Sequence, residues 1–262
     1  MYGEYHGAVH QSSKFLCDMR KALVVGGANG IGLSIATELA KRDTIERIYI
    51  VDKSVIPIEY NNLKFQFCQF DLTQADYSIF QQFDDIDVLM ITAGFGRLQL
   101  FRDTDEQLII DSFNVNTISA MRIIKHFYPK IEASAPFYCG VMVSIAGFMS
   151  SPFFSVYAAT KAALKVFIES VNVELLKAGT DNRILNVSPG SLKGTSFSAG
   201  KTNLSVTAPM AQAILQHLEQ KEDLFIPQYD EIFHDVLERY HADFRAEGLH
   251  SYEYKVRSGR VM

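Results

Sequence analysis

The feature that most constrains the fold of this chain is a repeated alternation between two kinds of segment from Lys21 onward. Short apolar runs typical of strands are separated, in most cases, by amphipathic runs long enough for a helix. The candidate strands are KALVVGG, RIYIVD, KFQFCQFD, DVLMITAG, FYCGVMVSIAG, RILNVSPG and LFIP. Several are apolar almost throughout, which is typical of a parallel sheet covered on both faces.

This alternation predicts an α/β fold, a Rossmann-like doubly wound fold with a parallel sheet of about seven strands. The chain has 262 residues and no Gly/Pro-rich linker. We therefore expect a flexible N-terminal extension over 1–20 and one domain over 21–262, with a C-terminal helical tail from about 228. In such a sheet, ligands bind beyond the carboxyl ends of the strands, so the residues after each strand are the functional candidates.

Composition narrows the classes of partner. A net charge of −5 with scattered positive residues argues against a nucleic-acid surface. Residues 1–20 lack the apolar core of a signal peptide, and no run is long enough to span a bilayer, so no membrane partner is expected. Cys17, Cys68 and Cys139 are widely spaced without metal-ligand spacing, which predicts buried thiols, a cytoplasmic location and no metal site.

A glycine-rich turn, GGANGIG, follows the first strand and leads directly into a helix. Glycines let phosphates approach the backbone, and a helix N-terminus offers N–H groups and a favourable dipole. A tight turn that only packs helix on strand would look the same. Asp52, twenty residues past Gly32, adds context because a carboxylate there accepts hydrogen bonds from an adenosine ribose.

The same carboxylate would repel a 2′-phosphate, so the sequence favours NAD over NADP as cofactor. Lys53 beside it would soften that repulsion. A cap on a helix or turn remains the alternative role of Asp52.

From Lys21 to about Pro227 the sequence resembles the short-chain dehydrogenase/reductase family, whose Gly-x-x-x-Gly-x-Gly turn is matched by Gly26, Gly30 and Gly32. The resemblance implies these cofactor contacts: Gly26, Asn29, Gly30, Ile31, Gly32, Asp52, Asp71, Leu72, Ala93, Gly94, Tyr157, Lys161, Pro189, Gly190, Leu192 and Thr195. ITAG departs from the family's Asn-Asn-Ala-Gly at Ile91 and Thr92, which is expected to weaken the hydrogen bonding between the central strands.

The run SVYAATKAALKVFIESVNVELLKAG predicts a long helix with Tyr157 and Lys161 on one face. Alone, such a pair is more often a packed aromatic with a snorkelling amine. The resemblance implies instead a catalytic group of Asn116, Ser144, Tyr157 and Lys161, in which Ser144 lies thirteen residues before Tyr157 as the family requires.

These residues suit the interconversion of a secondary alcohol and a ketone. Tyr157 would carry the proton, and the Lys161 ammonium would lower its pKa by Coulomb attraction. Ser144 would orient the substrate oxygen. The family mechanism adds the backbone of Asn116, which holds a water that links Lys161 to solvent.

The substrate side is expected to be apolar. In the family, the segments after Ser144 and after Pro189 wall the substrate, which implies contacts from Ser144, Phe148, Phe154, Tyr157 and Phe197 with an apolar or aromatic alcohol or ketone. Alternatively, about half of these phenylalanines pack the core.

The tail carries an apolar stripe that must pack against its own domain or another subunit, and a homo-oligomer, a dimer or tetramer, is expected. The stripe consists of Ile232, Phe233, Val236, Leu237, Tyr240 and Phe244. Two competing functions stay open: a non-catalytic dinucleotide-binding redox sensor or scaffold, and the same chemistry with NADPH.

Overall fold

Seven parallel strands form the centre of the molecule in a computed structural model that describes residues 19–195, 201–259 and 261. The strands are β1 Lys21–Val25, β2 Arg47–Asp52, β3 Phe65–Gln69, β4 Val88–Ile91, β5 Tyr138–Met142, β6 Ile184–Val187 and β7 Leu224–Phe225. The helices are α1 Gly30–Ala40, α2 Glu106–Phe113, α3 Ser119–Glu132, α4 Ser155–Ala178, α5 Leu204–Glu219, α6 His234–Ala242 and α7 Phe244–Arg257. The predicted fold class is confirmed.

The strand order is β3-β2-β1-β4-β5-β6-β7, so the chain first runs outward from β1 and then returns to start β4 on its other side. In register, Val25 pairs with Val51 of β2 and with Ile91 of β4. The connections that follow β1 and β4 leave in opposite directions, and this opens the crevice where ligands bind in doubly wound sheets.

Alternate residues of β1 enter two separate cores. Ala22 and Val24 face the core built with α1 and α5, while Leu23 and Val25 face the one built with α3 and α4. All four side chains are fully buried. Each fully buried Val or Leu contributes about 1.5 to 3 kcal/mol, so the sheet is held on both faces.

Helix α4 carries the predicted Tyr157 and Lys161. Its 24 residues contain neither glycine nor proline, and it ends where Gly179 adopts a left-handed φ of 81°. The Gly179 N–H caps the helix by donating to the carbonyls of Leu175 and Leu176. Leu164 and Ile168 pack on the sheet, so the buried stripe of the helix fixes its position.

The tail is helical but not continuous. A π-helix over Tyr229–Phe233 leads into α6. Asp243 ends α6 and caps the N-terminus of α7. Because these interruptions rotate the stripe, Leu237 is buried whereas Ile232 and Phe244 are exposed at 44% and 50%. No helix in the described part of the chain combines the length and apolarity needed to cross a membrane. Of the predicted extension only Met19 and Arg20 are described, and Met19 is buried.

Candidate active site

The turn after β1 has room only for glycine at two positions. Gly26 has a φ of 84°, and a Cβ there would lie 2.4 Å from the Ala93 nitrogen. A Cβ on Gly32 would lie 2.2 Å from the Gly26 carbonyl oxygen. Asn29 precedes the first helical residue, Gly30, so the turn delivers the N-terminus of α1 to the carboxyl edge of the sheet. This arrangement fits a dinucleotide pyrophosphate.

Thr92 ties the glycine turn to β4. Its hydroxyl donates to the Val25 and Gly26 carbonyls at 3.0 Å each, and its N–H donates to the Val25 carbonyl at 2.8 Å. The hydrogen bonding between the central strands, which the departure from the family's asparagines predicted to be weakened, is therefore supplied by the threonine side chain. Ala93 donates to the same Val25 oxygen at 3.1 Å.

Asp52, at the end of β2, braces the same turn. One carboxylate oxygen accepts from the Ala28 N–H at 3.0 Å and the other from the Ser54 N–H at 2.9 Å. The carboxylate is thus held beside the glycine turn by backbone donors. The Asp52 carboxylate therefore caps the turn, which is the alternative role that the sequence left open for it. If a dinucleotide occupied the turn, its ribose would be expected beside this carboxylate.

The other predicted cofactor residues border the same crevice. Asp71 accepts from the Thr73 N–H and hydroxyl, both at 2.9 Å, and these hydrogen bonds lower the pKa of its carboxyl. The Leu72 carbonyl accepts from the Tyr77 hydroxyl at 2.8 Å. Gly94 lies beside Lys161, since a Cβ on Gly94 would be 3.4 Å from the lysine Nζ.

The segment after β6 folds back over the glycine turn. The Pro189 carbonyl accepts from the Ile145 N–H at 3.1 Å, and the Thr195 hydroxyl donates to the Leu192 carbonyl at 3.0 Å. Thr195 also lies against Gly30, where a Cβ would be 3.5 Å from the threonine Cβ. The Gly30 N–H donates to the Thr202 hydroxyl at 2.8 Å, a contact for which the sequence carried no signal.

Gly190, one of the predicted cofactor contacts, packs against the C-terminal tail. A Cβ at this glycine would lie 2.7 Å from the Phe233 ring. Phe233 belongs to the π-helix that precedes α6. The tail therefore reaches the edge of the cofactor site.

Ser144, Tyr157 and Lys161 come together beyond the end of β5. The Ser144 hydroxyl lies close enough to Tyr157 to act on the pKa of its phenol, and it accepts from the Ala146 N–H at 3.1 Å. The Lys161 Nζ donates to the Met142 carbonyl at 2.8 Å and lies 5.7 Å from the centre of the Tyr157 ring. The two hydroxyls thus lie in one site with the lysine behind them.

Asn116 joins this group through a break in the helix. A π-helix over Asn114–Ile118 separates α2 from α3, and such bulges are common at functional sites. The Asn116 amide accepts from the Phe95 N–H at 2.9 Å and donates to the Phe95 carbonyl at 2.8 Å and to the Thr160 hydroxyl at 3.1 Å. Asn116, not Asn114, is therefore the buried residue beside the predicted catalytic pair.

Burial dominates the titration of the pair. It raises the pKa of Tyr157 to about 12, and the hydrogen bond from Ser144 opposes this only in part. It lowers the pKa of Lys161 to about 7. The expected lowering of the Tyr157 pKa by Lys161 is not found, because burial favours the uncharged form of both groups.

One of the predicted substrate residues flanks this group, since the Phe154 ring centre lies 5.3 Å from that of Tyr157. The Phe148 ring instead packs against Lys165, whose ammonium lies 4.8 Å from the ring centre. Phe197 lies outside the described residues.

A recess beside Tyr157 is lined in part by residues that the sequence did not single out. Among them are Arg97, Gln99, Thr104, Leu108 and Ser112. Most belong to an irregular loop or the start of α2, where no motif marks them. The lining is mixed rather than purely apolar, so the expected apolar wall is only one side of this recess.

A family model described as short chain dehydrogenase matches residues 20–206 of the chain. This chain belongs to the short chain dehydrogenase family. The match spans the glycine turn and all four residues of the predicted catalytic group. Members of this family are oxidoreductases that act on CH–OH groups with NAD or NADP, and that general activity applies here.

Several known proteins are similar to this family member. Bovine retinol dehydrogenase 8 is 28% identical over 83% of this chain and 73% of its own length. An uncharacterized oxidoreductase of Saccharomyces cerevisiae is 25% identical over 79% of this chain and 74% of its own. A Burkholderia cenocepacia short chain dehydrogenase in complex with NADP shares the fold, with a TM-score of 0.73 and 20% identity over 90% of this chain and 98% of its own.

Proposed function

We propose that this chain interconverts a secondary alcohol and a ketone by hydride transfer with NAD(H), on an apolar or aromatic substrate. The observation that carries the proposal is the grouping of Ser144, Tyr157 and Lys161, in which Ser144 acts on the pKa of the Tyr157 phenol and the Lys161 Nζ lies 5.7 Å from the Tyr157 ring centre, with the glycine turn at the same sheet edge. The likeness to a retinol dehydrogenase supports an apolar alcohol as substrate.

The side chains divide the work with the cofactor. The nicotinamide, when bound, accepts or supplies the hydride. Tyr157 transfers the proton at the substrate oxygen, and Ser144 hydrogen-bonds that oxygen as charge develops on it. The Met142 carbonyl holds the Lys161 Nζ, and the absence of a side chain at Gly94 leaves room for it.

The high pKa of Tyr157 favours one direction near neutral pH. A phenol with a pKa of about 12 stays protonated there and is a proton donor, which suits ketone reduction. Alcohol oxidation needs the phenolate, so we expect its rate to rise with pH throughout the range from 7 to about 10. An oxidation rate that is flat over this range would contradict Tyr157 as the base.

The test is steady-state absorbance of reduced nicotinamide with a panel of ketones and alcohols. Tyr157→Phe should lower kcat by about a hundredfold or more and leave the NADH dissociation constant within about twofold. A variant that kept its rate would overturn the proton-transfer role. Tight NADH binding by the wild type without turnover on any substrate would favour the redox-sensor or scaffold alternative.

NAD is proposed over NADP because the Asp52 carboxylate is held beside the glycine turn. The second candidate, NADPH, is favoured by neighbours in the same fold whose structures contain NADP, and Lys53 lies close enough to Asp71 to act on its charge. The dissociation constants of NADH and NADPH decide between them. Tighter binding of NADPH would overturn the assignment based on Asp52.

A homo-oligomer, a dimer or tetramer, in the cytoplasm is proposed as the working form. It is supported by Val166, Val173 and Leu176, which lie on α4 at helical spacing and are exposed at 56%, 67% and 64%. A second copy covering this face would remove apolar area from water. Sedimentation of the wild type against Val173→Glu tests it, and identical monomers would refute it.

A further inference from the structure

Helix α7 lies against the short segment that leads from Ser144 to Tyr157. The Lys255 Nζ donates to the Ser151 hydroxyl at 2.9 Å and to the Pro152 carbonyl at 2.8 Å. The Tyr252 ring centre lies 4.5 Å from that of Phe153. These contacts join residues about a hundred positions apart, so they exist only because the tail returns to the active-site edge.

The contacted segment has a conformation that needs support. Phe153 is buried and has a φ of 66°, in the left-handed region that is strained for a non-glycine residue. The Gln99 N–H holds its carbonyl at 2.9 Å from one side. From the other side, the Tyr252 ring packs on the Phe153 ring, and Lys255 holds the two preceding residues by its hydrogen bonds.

The position of Phe154 depends on this bend. Phe154 directly precedes α4, and its carbonyl accepts from the Ala158 N–H at 2.8 Å. Its ring lies 5.3 Å from the Tyr157 ring and 5.8 Å from the Lys255 ammonium, measured to the ring centre. A change in the segment around Pro152 would therefore move the wall of the site next to Tyr157.

Lys255 is only 8% exposed. Burying an ammonium group is costly unless hydrogen bonds replace its hydration. A residue that served only to fill space would be apolar here. The hydrogen bonds of the ammonium fix the position of the segment over 151–154 more precisely than packing alone would.

We propose that Lys255 is a positioning residue for the substrate site. It holds the segment over 151–154 in its bent form, so that Phe154 forms a wall beside Tyr157 against which a bulky apolar substrate packs. Helix α7 thereby sets the size selectivity of the reaction. This inference rests on the proposed function for its kinetic readout.

The test compares Lys255→Met with Arg257→Met, a control on the same helix whose side chain is 70% exposed. With NADH, kcat and KM are measured for butanone and for a bulky aryl ketone. Lys255→Met should raise KM for the aryl ketone about tenfold and leave butanone and the NADH dissociation constant within about twofold. Lys255→Arg, which keeps a charged donor, should recover part of the loss.

Hydrogen exchange of the amides over 150–158 supplies a readout that does not depend on activity. Exchange should be faster in Lys255→Met and unchanged in Arg257→Met. If Lys255→Met does not fold, Ser151→Ala removes one acceptor of the same ammonium and should raise the aryl-ketone KM about threefold.

Equal effects of Lys255→Met and Arg257→Met, or equal losses with both ketones, would overturn the inference. A Ser151→Ala variant with unchanged KM, where Lys255→Met does not fold, would do the same. Absence of turnover by the wild type would instead contradict the proposed function. In that case the exchange rates alone decide whether Lys255 holds the segment.

Discussion

The two sides of the active-site crevice are held together by contacts of very different range. On the cofactor side, the turn over 26–32 is shaped by its own glycines and by the ends of β2 and β4, which are its neighbours in the sheet. On the substrate side, the segment over 148–154 is held by Gln99 and by α7 from far along the chain. The first depends mainly on the steric demands of its glycines, whereas the second depends on contacts with residues that are distant in the sequence.

This difference predicts how each side responds to substitution. A change on the cofactor side meets backbone atoms that cannot move, so it should damage both folding and binding. A change on the substrate side meets side chains and a loop that can adjust, so it should alter KM and selectivity while the fold persists.

The largest expected effect is that of Gly32→Ala. The new methyl group would lie 2.2 Å from a backbone oxygen, so the turn must open. We expect a loss of about 3 kcal/mol in the free energy of unfolding and at least about a hundredfold weaker NADH binding. Gly179→Ala is the control: its φ is positive, which should cost about 1 kcal/mol, but nothing lies within 4 Å of the new methyl group, so NADH binding should be unchanged. Denaturant unfolding measures the loss of stability and NADH titration measures the loss of affinity. Equal losses in the two variants would contradict a special steric requirement at the glycine turn.

Lys161→Met tests the centre, where both sides meet. Activity should fall by about a hundredfold or more, because the amine through which the Tyr157 proton is proposed to be replenished is lost. Stability should rise instead, by about 2 to 4 kcal/mol at pH 7, since burial lowers the pKa of this lysine to about 7 from an ordinary value of 10.5.

The direction in which stability changes with pH follows from proton binding. Between pH 7 and about 10 the unfolded wild type holds a proton on this lysine that the folded protein has largely lost, so its free energy of unfolding rises with pH. This part of the rise should vanish in Lys161→Met. Denaturant unfolding at several pH values measures it, and identical slopes for the two proteins would contradict a buried lysine with a lowered pKa.

Phe154→Ala probes the substrate side directly. Its ring lies 5.3 Å from the Tyr157 ring, so its loss should raise KM for a bulky aryl ketone about tenfold through lost apolar contact. The NADH dissociation constant should stay within about twofold. Ile118→Ala, an exposed residue away from this segment, is the control. Weaker NADH binding in Phe154→Ala would mean that the two sides are not separable.

The smallest expected effect is that of Thr92→Val, which keeps the shape of the side chain but removes its hydroxyl. The Val25 and Gly26 carbonyls each lose a donor at 3.0 Å. We expect a loss of about 1 to 2 kcal/mol in stability and a modest weakening of NADH binding. Thermal unfolding and NADH titration check this, and an unchanged melting temperature would show that the hydroxyl does not brace the turn.

The local sequence was sufficient to predict the sheet, α4 and the glycine turn. The strands are short apolar runs, and the glycines are required by steric contacts within a few residues. Tyr157 and Lys161 share a face because they are about one helical turn apart. The catalytic spacing from Ser144 was likewise readable from a motif. The titration of the pair was not, because burial depends on everything packed around it.

The amino-acid sequence was enough to predict a doubly wound parallel sheet and a glycine turn, because periodicity and local sterics act between near neighbours, and its family resemblance pointed to the Ser-Tyr-Lys group. The folded structure was needed to show that Thr92 braces the turn, that Asp52 caps it, and that Lys255 reaches the segment before Tyr157. Such contacts join residues whose separation along the chain carries no periodicity. Only the folded chain brings them within hydrogen-bonding distance.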